Sequence, residues 1–341
     1  MTDLDVLFPL SLSNSSLGDF WSCELKGFRG QIQKLVGAGT SPDLLAGSAF
    51  ASACEIARKA FYEEEISQEE AIELGQTFIL KSPDTGHPIK TNERVALSFK
   101  KYIEAFPFSR EFQPCQLEGG SYAIEYRFEL DTGIPHPDLP DRNILFTGLL
   151  DGLYEQRVHG EVINRYVLDE KTTARVSRVR GTKVVDLEKE ADLFRASGQL
   201  IGYAFAAQQL GIDITAGLIR RVPMLTTHEP AFELELPITK FMKDRWAEAT
   251  FEKIKELKDR YVYYRDNVKG VEGAYPHSVF YPSYSTSCTA YNRKCQFMEG
   301  CLHKRGESIL AATHSQLVKA MDKEGNRLLI PLDEYKQKLG L

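Results

Sequence analysis

The sequence predicts an α/β fold, in which amphipathic helices precede and follow a group of strands. Three short runs rich in β-branched and aromatic residues lie within Glu118–Lys171 and have the length and composition of strands. Apolar residues recur at helical spacing on either side, over Pro42–Glu65 and Asp186–Leu210. A further strand pair is predicted at Gly217–Val222 and Ala231–Pro237.

Helices are expected to dominate the chain before the strands. Cap-like serines open Ser11–Val36, where we expect a short helix around Cys23. The segment Pro42–Glu65 is expected to form the first core helix. Positions 66–110 are expected to form a helical insertion before the sheet, with helices at Gln68–Leu80 and Asn92–Phe106.

The three predicted strands are expected to form the centre of the sheet. The first is Tyr122–Leu130, and the second and third are the apolar runs Ile144–Leu150 and Tyr166–Leu168. The polar stretch Glu155–Glu161, which contains Gly160, is expected to turn the chain between the last two. These two strands should therefore be antiparallel neighbours.

Charged residues come directly after these two runs. Asp151 follows one, and Asp169, Glu170 and Lys171 follow the other, so we expect two carboxylates and one ammonium at adjacent strand ends. Paired carboxylates can hold a divalent metal, and an adjacent lysine can orient a water or stabilise an anion. The alternative is an ordinary hairpin with solvated charges. An acidic-x-Lys triplet alone is not specific, since others occur at Glu24–Lys26, Glu256–Lys258 and Glu334–Lys336.

The predicted helix Asp186–Leu210 carries a second polar pattern. Gln199 and Tyr203 lie four residues apart, so they share a helix face and could address one substrate. Gly198 and Gly202 should leave a thin strip for close approach by backbone or nucleic acid. Taken alone, such a pair is more often surface decoration.

The rest of the chain is expected to be one elaborated domain over 1–305 with a peripheral, partly helical tail at 306–341. A long charged helix is predicted at Thr239–Asn267. The apolar content of 43% supports a sizeable core, and no apolar run approaches the length of a membrane span. We therefore expect a cytoplasmic protein with no membrane partner.

Cysteines suggest a second metal site. The acidic N-terminus lacks a signal-peptide pattern, so we expect a reducing setting in which clustered cysteines are metal ligands. Four thiolates suit zinc or an iron–sulfur cluster, and His303 could replace one of them. Cys54 and Cys115 are expected to be buried apolar residues. The cluster lies in the region 275–303 and contains Cys288, Cys295 and Cys301.

Charge and missing motifs restrict the function further. A net charge of −6 argues against a general basic coat for DNA. The loop after Lys171 is nevertheless basic and could grip phosphates, unless it is simply solvated. No P-loop, G-x-S-x-G or H-E-x-x-H pattern occurs, which argues against ATP hydrolysis and serine or zinc hydrolase chemistry. The basic residues of the loop are Arg175, Arg178, Arg180 and Lys183.

In this order, Gly148-x-x-Asp151, Asp169-x-Lys171 and Gln199-x-x-x-Tyr203 resemble the RecB-type branch of the PD-(D/E)XK nuclease superfamily over 11–303. The resemblance implies a restriction-endonuclease-like core, α-β-β-β-α-β, with a mixed central sheet flanked by helices. It also implies metal-dependent DNA cleavage, in which the two aspartates and the backbone carbonyl of Glu170 bind Mg²⁺ or Mn²⁺ and Lys171 assists the water.

Two glutamates enter through the same resemblance. Glu125 matches the glutamate that the family often carries on its first strand. The family also places a histidine metal ligand in the pattern G-x-x-x-H, whereas this chain has Ala51 four residues after Gly47. Glu55, one turn later, could substitute as a ligand, or it could be a solvated helix residue. The coordination of the metal is therefore the open part of this expectation.

The N-terminal pattern S-x-x-x-F-x-x-C, which ends at Cys23, resembles the opening of iron–sulfur nucleases. These include the CRISPR adaptation nucleases, AddB-type nuclease domains and phage-type relatives. The resemblance implies a [4Fe–4S] cluster on Cys23, Cys288, Cys295 and Cys301 that ties the ends of the domain together. The spacing C-x6-C-x5-C departs from the C-x2-C-x5-C of some relatives. A structural zinc ion is the alternative.

Together these patterns predict a prokaryotic or phage-encoded DNA exonuclease that acts on single strands or ends. A helicase or a recombination or adaptation protein could be its partner. The alternative is a non-catalytic DNA-binding subunit that keeps the fold and a structural iron–sulfur or zinc site. The missing histidine motivates that alternative, and the presence of Asp151, Asp169 and Lys171 argues against it.

Overall fold

A computed structural model describes residues 7–37, 42–87, 89–173, 176–182, 184–195, 197–224, 230–271, 276–283, 288, 289, 295, 297 and 329–331. The chain divides into two compact units, each assembled from separate segments. The first unit is Met1–Thr40, Glu129–Thr147 and Ala249–Leu341, and the second is Ser41–Phe128 and Gly148–Glu248. Within the described residues, no helix is both long and apolar enough to cross a bilayer.

Strands in the described part of the chain form a seven-stranded mixed sheet and a separate two-stranded ladder. They are β1 Ser11–Ser13, β2 Leu35–Gly37, β3 Phe112–Pro114, β4 Ile124–Pro135, β5 Asn143–Val158, β6 Glu161–Thr173, β7 Ala216–Pro223, β8 Phe232–Pro237 and β9 Leu329–Pro331. The sheet has the order β1-β5-β6-β7-β8, with β3 and β4 also paired to β5. Strand β6 pairs antiparallel with β5 and parallel with β7. The ladder joins β2 and β9.

Most of the helices begin at a side-chain cap. They are α1 Asn14–Ser22, α2 Glu24–Gly27, α3 Pro42–Tyr62, α4 Gln68–Lys81, α5 Asn92–Ala105, α6 Leu187–Asp192, α7 Gly198–Gln209 and α8 Lys240–Asn267. A π-helical turn, Phe28–Ile32, follows α2, and a 3₁₀ turn covers Pro276–Ser278. The hydroxyls of Ser67, Thr91 and Ser197 accept hydrogen bonds from the first turns of α4, α5 and α7.

The predicted α/β class is confirmed, with a mixed sheet flanked by helices. Helix α3, strands β4, β5 and β6, helix α7 and strand β7 occur in the predicted order α-β-β-β-α-β, with α4, α5 and β3 inserted before β4 and α6 before α7. The two helices of the predicted insertion are present as α4 and α5. The later strand pair and the long charged helix are present as β7, β8 and α8.

The hairpin between β5 and β6 is longer than the sequence suggested. The chain turns only at His159 and Gly160, whose φ angles of 52° and 85° suit a tight two-residue turn. The polar stretch expected to be the turn continues β5 because its side chains find partners across the ladder. For example, Gln156 accepts hydrogen bonds from Asn164 and Tyr166. Asp151 therefore lies in the middle of β5, not at a strand end.

The single helix predicted at Asp186–Leu210 is wrong, because two helices occupy this range. Asp186 caps α6, and Ser197 starts α7 by accepting a hydrogen bond from the Leu200 amide. The Ser197 amide itself donates to the carbonyl of Phe194, so the chain turns between the two helices. A serine that can cap competes with helix continuation, and the apolar periodicity does not register this.

The N-terminal segment is also more divided than predicted. Strand β1 and helices α1 and α2 replace the single short helix, and Cys23 lies between the two helices in extended conformation. Strand β1 pairs in parallel with β5, with Ser11 opposite Leu145. In the sequence, three residues are too few to register as a strand.

Helices α3, α4 and α5 pack into one apolar cluster in the second unit. The buried face of α3 consists mainly of small residues, so α4 and α5 approach it closely. Phe50 on α3 makes edge contacts with Phe99 and Tyr102 on α5. Cys54 and Cys115 are 0% and 3% exposed, which confirms that both are buried. This cluster supports α3 against the strands that carry the predicted site residues.

Candidate active site

Two aspartates of the second unit lie on adjacent strands. Gly152 of β5 is paired with Leu168 of β6, which brings Asp151 and Asp169 to neighbouring positions of the ladder. Burial raises the pKa of Asp151 well above its ordinary value, and the charge of Asp169 raises it further. Burial also raises the pKa of Asp169, although Lys171 opposes that shift. The Asp169 carboxylate is thus close enough to disfavour the ionised form of Asp151.

Hydrogen bonds join the other predicted residues to Asp169. The Lys171 Nζ donates to Asp169 Oδ1 at 2.8 Å and to Gln199 Oε1 at 3.4 Å. The Gln199 Nε2 donates to Asp169 Oδ1 at 3.2 Å and to the Tyr203 hydroxyl at 3.1 Å. The structure therefore brings Asp169, Lys171, Gln199 and Tyr203 into one network, next to Asp151.

Helix α7 presents its polar pair to the strands because Gly148 leaves room for an aromatic ring. A Cβ on Gly148 would lie 2.5 Å from the Phe128 ring and 2.7 Å from the Tyr203 ring. The two rings make an edge contact with centroids 5.8 Å apart. Tyr203 is 7% exposed, and burial raises its pKa to about 12. Its hydroxyl thus stays protonated and serves to hold Gln199.

The strip beside Gly202 is occupied by protein. A Cβ at this glycine would lie 2.4 Å from the Trp246 ring. Trp246 is 8% exposed, so its indole fills the space that was expected to admit nucleic acid. The expectation of an open strip at Gly202 is therefore wrong, since this glycine is required for packing against α8.

Glu170 has a role that the sequence did not predict. Its side chain, 3% exposed, forms a buried ion pair with Arg58 of α3 and accepts a hydrogen bond from the Tyr102 hydroxyl of α5. Burial alone would raise the pKa of Glu170, but Arg58 and Tyr102 outweigh it and hold the pKa below the ordinary value. A lone arginine on the otherwise apolar face of α3 was the available signal, because a buried charge needs a partner.

Glu125 lies at the start of β4 with an unsatisfied carboxylate. Its φ of 45° places it in the left-handed region, which is uncommon for a residue other than glycine. Its Oε1 is buried and has no hydrogen-bond partner within the described residues. Burial raises the pKa of Glu125 to about 7, and the charges of Glu170 and Glu55 add to the shift while Arg58 opposes it.

Two residues of α3, Glu55 and Gly47, belong to the pattern in which the histidine is missing. Glu55 pairs with Lys59 one turn further along, at 2.6 Å, and its side chain is 35% exposed. Its carboxylate is therefore engaged on the helix surface, which is the arrangement of a solvated helix residue. A Cβ on Gly47 would lie 3.6 Å from the Thr172 hydroxyl, so this part of α3 lies against the end of β6.

The donor chemistry around Asp151 suits a hard divalent cation. Within the described ranges, no group of three or more Asp, Glu, His or Cys side chains meets in ligand geometry. Asp151, Asp169 and Glu125 nevertheless supply the oxygen donors that Mg²⁺ and Mn²⁺ prefer. The unpartnered Glu125 Oε1 and the raised pKa values of all three carboxylates are what a nearby cation would relieve. These residues fit the predicted metal.

Two of the four basic residues in the predicted phosphate-binding loop, Arg178 and Arg180, are described. The backbones of Arg178 and Val185 form an isolated antiparallel β-bridge, and the Val179 amide donates a hydrogen bond to the Val184 carbonyl. Arg178 and Arg180 are exposed. The other two predicted phosphate ligands, Arg175 and Lys183, lie outside the described residues.

Three of the four predicted cluster cysteines are described, all in the first unit. The Cys295 amide donates to the Cys288 carbonyl at 2.7 Å. Burial raises the pKa of Cys295, and the charges of Cys23 and Cys288 raise it further, which places both residues in the surroundings of Cys295. All three are free of disulfides. Cys301 and His303 lie outside the described residues, so the fourth ligand stays a prediction.

Comparison with known proteins gives no family. No family model matches the chain, and no curated protein is detectably similar. Among solved structures, the chain is similar to the crystal structure of an exonuclease candidate from Eubacterium rectale. The match has 12% identity and a TM-score of 0.39, and it covers 73% of this chain and 81% of that one. A likeness this distant identifies neither a family nor an activity.

Proposed function

We propose that the chain is a metal-dependent DNA nuclease that hydrolyses phosphodiester bonds, acting as an exonuclease on single-stranded DNA or DNA ends. One observation carries the proposal. Lys171 is hydrogen-bonded to both Asp169 and Gln199, beside the buried carboxylate of Asp151. An ammonium held against paired acidic oxygens is suited to a reaction in which negative charge develops on a phosphate.

Each residue has a part in the proposed mechanism. Asp151, Asp169 and the carbonyl of Glu170 would hold Mg²⁺ or Mn²⁺, with Glu125 as an additional carboxylate. Bound there, the metal would lower the pKa of a coordinated water and polarise the phosphate. Lys171 would orient the attacking water and offset charge on phosphorus. Gln199, which is half-buried and hydrogen-bonded to Tyr203, would keep the DNA strand in register.

The basic loop supplies the sequence-independent part of DNA binding in this proposal. Arg178 and Arg180 are exposed at positions 7 and 9 residues after Lys171 in the chain. Exposed guanidiniums can release counterions from the phosphate backbone, which gives affinity without base recognition.

The cysteine site is proposed to be structural, holding a [4Fe–4S] cluster or, alternatively, zinc.

The competing function is a DNA-binding subunit without catalysis. It is motivated by Ala51, which offers no ligand where a histidine was expected, and by the engagement of Glu55 with Lys59. The hydrogen-bonded arrangement of Lys171 favours the nuclease, since DNA binding alone does not require an ammonium beside buried carboxylates.

A cleavage assay tests the proposal. Purified protein should degrade linear single-stranded DNA labelled at either end in Mg²⁺ or Mn²⁺, and a chelator should abolish the activity. A single-stranded circle should resist, because an exonuclease needs an end. Lys171→Ala should still bind DNA without cutting it. Binding without metal-dependent cleavage by the wild type would instead establish the non-catalytic subunit.

A further inference from the structure

Glu170, the residue between Asp169 and Lys171, is held through both its side chain and its main chain. Because side chains alternate along a strand, Glu170 points away from its two neighbours. Arg58 grips its carboxylate through both terminal nitrogens, and the Tyr102 hydroxyl donates to the same carboxylate. On the main chain, the Glu170 amide donates to Asp151 Oδ2 at 2.5 Å.

The clamp, meaning Arg58, Glu170 and Tyr102, continues into the sheet. Arg58 Nη2 also donates to the Tyr102 hydroxyl, at 3.0 Å. Arg220 of β7 donates to the same hydroxyl at 3.3 Å and pairs with Glu233 of β8 at 2.7 Å. The side chains of Arg58 and Glu170 are 1% and 3% exposed, so water does not loosen the contact. Helices α3 and α5 are therefore tied to β6 at Glu170, and through Arg220 to β7 and β8.

We propose that Arg58 and Tyr102 are positioning residues, which fix the Glu170 peptide so that Asp151, Asp169 and Lys171 are preorganised for the cation. Neither side chain would touch metal or DNA. They act through Glu170, whose main chain contacts Asp151 and whose neighbours on either side are Asp169 and Lys171. This inference rests on the proposed function, because it assigns a role within that site.

A purely structural ion pair is the competing interpretation, and it predicts something different. Loss of a structural pair lowers the melting temperature and leaves metal affinity in the folded protein unchanged. Loss of a positioning contact weakens metal binding as well, since mutation of residues that hold the metal ligands in place typically lowers metal affinity by about 10–100-fold.

Two conservative variants separate these interpretations. Tyr102→Phe removes one hydroxyl and leaves the Arg58–Glu170 pair in place. Arg58→Lys keeps the charge but loses the two-pronged contact. The matched control is Glu190→Gln, which removes the negative charge from another buried pair, Glu190 with Arg221 at 3.0 Å; among the described hydrogen bonds and ion pairs, none joins Glu190 to Glu170.

The measurement is Mn²⁺ affinity by calorimetry on metal-free protein, without DNA, together with melting temperature and cleavage kinetics. We expect about 10-fold weaker Mn²⁺ binding in Tyr102→Phe and Arg58→Lys, and an unchanged affinity in Glu190→Gln. Turnover at limiting Mn²⁺ should fall in the first two variants, and the KM for DNA should stay constant. If Arg58→Lys does not fold, Tyr102→Phe decides alone.

Failure of this inference differs from failure of the proposed function. If the wild type binds Mn²⁺ and cleaves DNA while folded Tyr102→Phe matches it within about twofold, the clamp is structural only and the nuclease proposal stands. If the wild type neither binds Mn²⁺ nor cleaves, both proposals are overturned. An equal loss of affinity in Glu190→Gln would also overturn the clamp, because the effect would follow from destabilisation.

Discussion

The ammonium of Lys171 lies 2.8 Å from Oδ1 of Asp169, two residues earlier on the same face of β6. Strand geometry brings these side chains together, because residues i and i+2 point the same way. What strand geometry does not determine is the third partner. Gln199 of α7 bonds both side chains, so the pair is held in one arrangement by a helix that begins 27 residues after Lys171.

Removal of the Lys171 ammonium should abolish most of the activity. We expect Lys171→Ala to reduce the turnover number by about 10³-fold, which corresponds to roughly 4 kcal/mol of transition-state stabilisation. Lys258→Ala is a matched control, since Lys258 ends another acidic-x-Lys triplet and pairs with the exposed Asp259. Single-turnover cleavage of labelled DNA measures the effect. Near-wild-type turnover in Lys171→Ala would exclude the assigned site.

Neutralising Asp151 should stabilise the metal-free protein. The folded state raises the pKa of Asp151, so it binds this proton more readily than the unfolded chain. Stability therefore falls as the pH rises through the window between the ordinary and the raised pKa. Asp151→Asn removes that penalty and still accepts the Glu170 amide. We expect a higher melting temperature in chelator at about pH 8, and a smaller difference at about pH 4.

Added metal should stabilise the wild type and leave Asp151→Asn unchanged. Mn²⁺ should raise the melting temperature of the wild type, because binding to the folded state alone stabilises it, and should not do so in Asp151→Asn. Calorimetric scans with and without Mn²⁺ provide the test. A metal-free Asp151→Asn protein that melts below the wild type at both pH values would contradict the assigned burial penalty.

Glu125 should titrate near neutrality. Its pKa of about 7 lies above the ordinary value, so its ionisation costs stability increasingly as the pH rises through that range. We expect Glu125→Gln to stabilise the metal-free protein above about pH 7 and to change little below about pH 4. If Glu125 is a ligand, the variant also needs more Mn²⁺ for half-maximal cleavage. Glu129→Gln, at an exposed position of the same strand, is the control.

The cysteine site should reveal itself by colour. Anaerobically purified protein should be brown, absorb near about 400 nm and carry about four irons per chain. Cys23→Ser should bleach it and lower its melting temperature, because the tie between distant segments is lost. Cys54→Ser and Cys115→Ser alter buried cysteines and should keep the colour. Colourless wild-type protein with stoichiometric zinc would replace the iron–sulfur proposal with a zinc site.

Gly148 should not tolerate a side chain. A methyl group there would meet the Phe128 and Tyr203 rings at 2.5 and 2.7 Å, so both rings must shift. We expect Gly148→Ala to cost about 1–3 kcal/mol of unfolding free energy and to reduce turnover by disturbing Gln199. Gly18→Ala, in helix α1 with open space at its Cβ, should be neutral or slightly stabilising. Chemical denaturation of both variants measures the difference, and equal stabilities would refute this packing role.

Local patterns in the sequence predicted the order of the main helices and strands and the polar residues that the structure brings together around Asp169. Apolar periodicity predicted the core helices, and the length and composition of short apolar runs predicted the strands that carry Asp151 and Asp169. The i to i+2 spacing of Asp169 and Lys171 and the i to i+4 spacing of Gln199 and Tyr203 are properties of single elements. Boundaries were less predictable, as at Ser197, where a local cap ends one helical stretch and begins α7.

Only the tertiary structure decided which residues support those polar groups. Arg58 and Glu170 are 112 positions apart, and their pairing depends on how α3 packs against β6. From the sequence, the space beside Gly202 was expected to be open. In the structure the Trp246 indole occupies it, because helix packing brings this distant side chain there. Sequence patterns report periodicity within one element, whereas burial, pKa shifts and long-range ion pairs arise from contacts between elements, which no local spacing encodes.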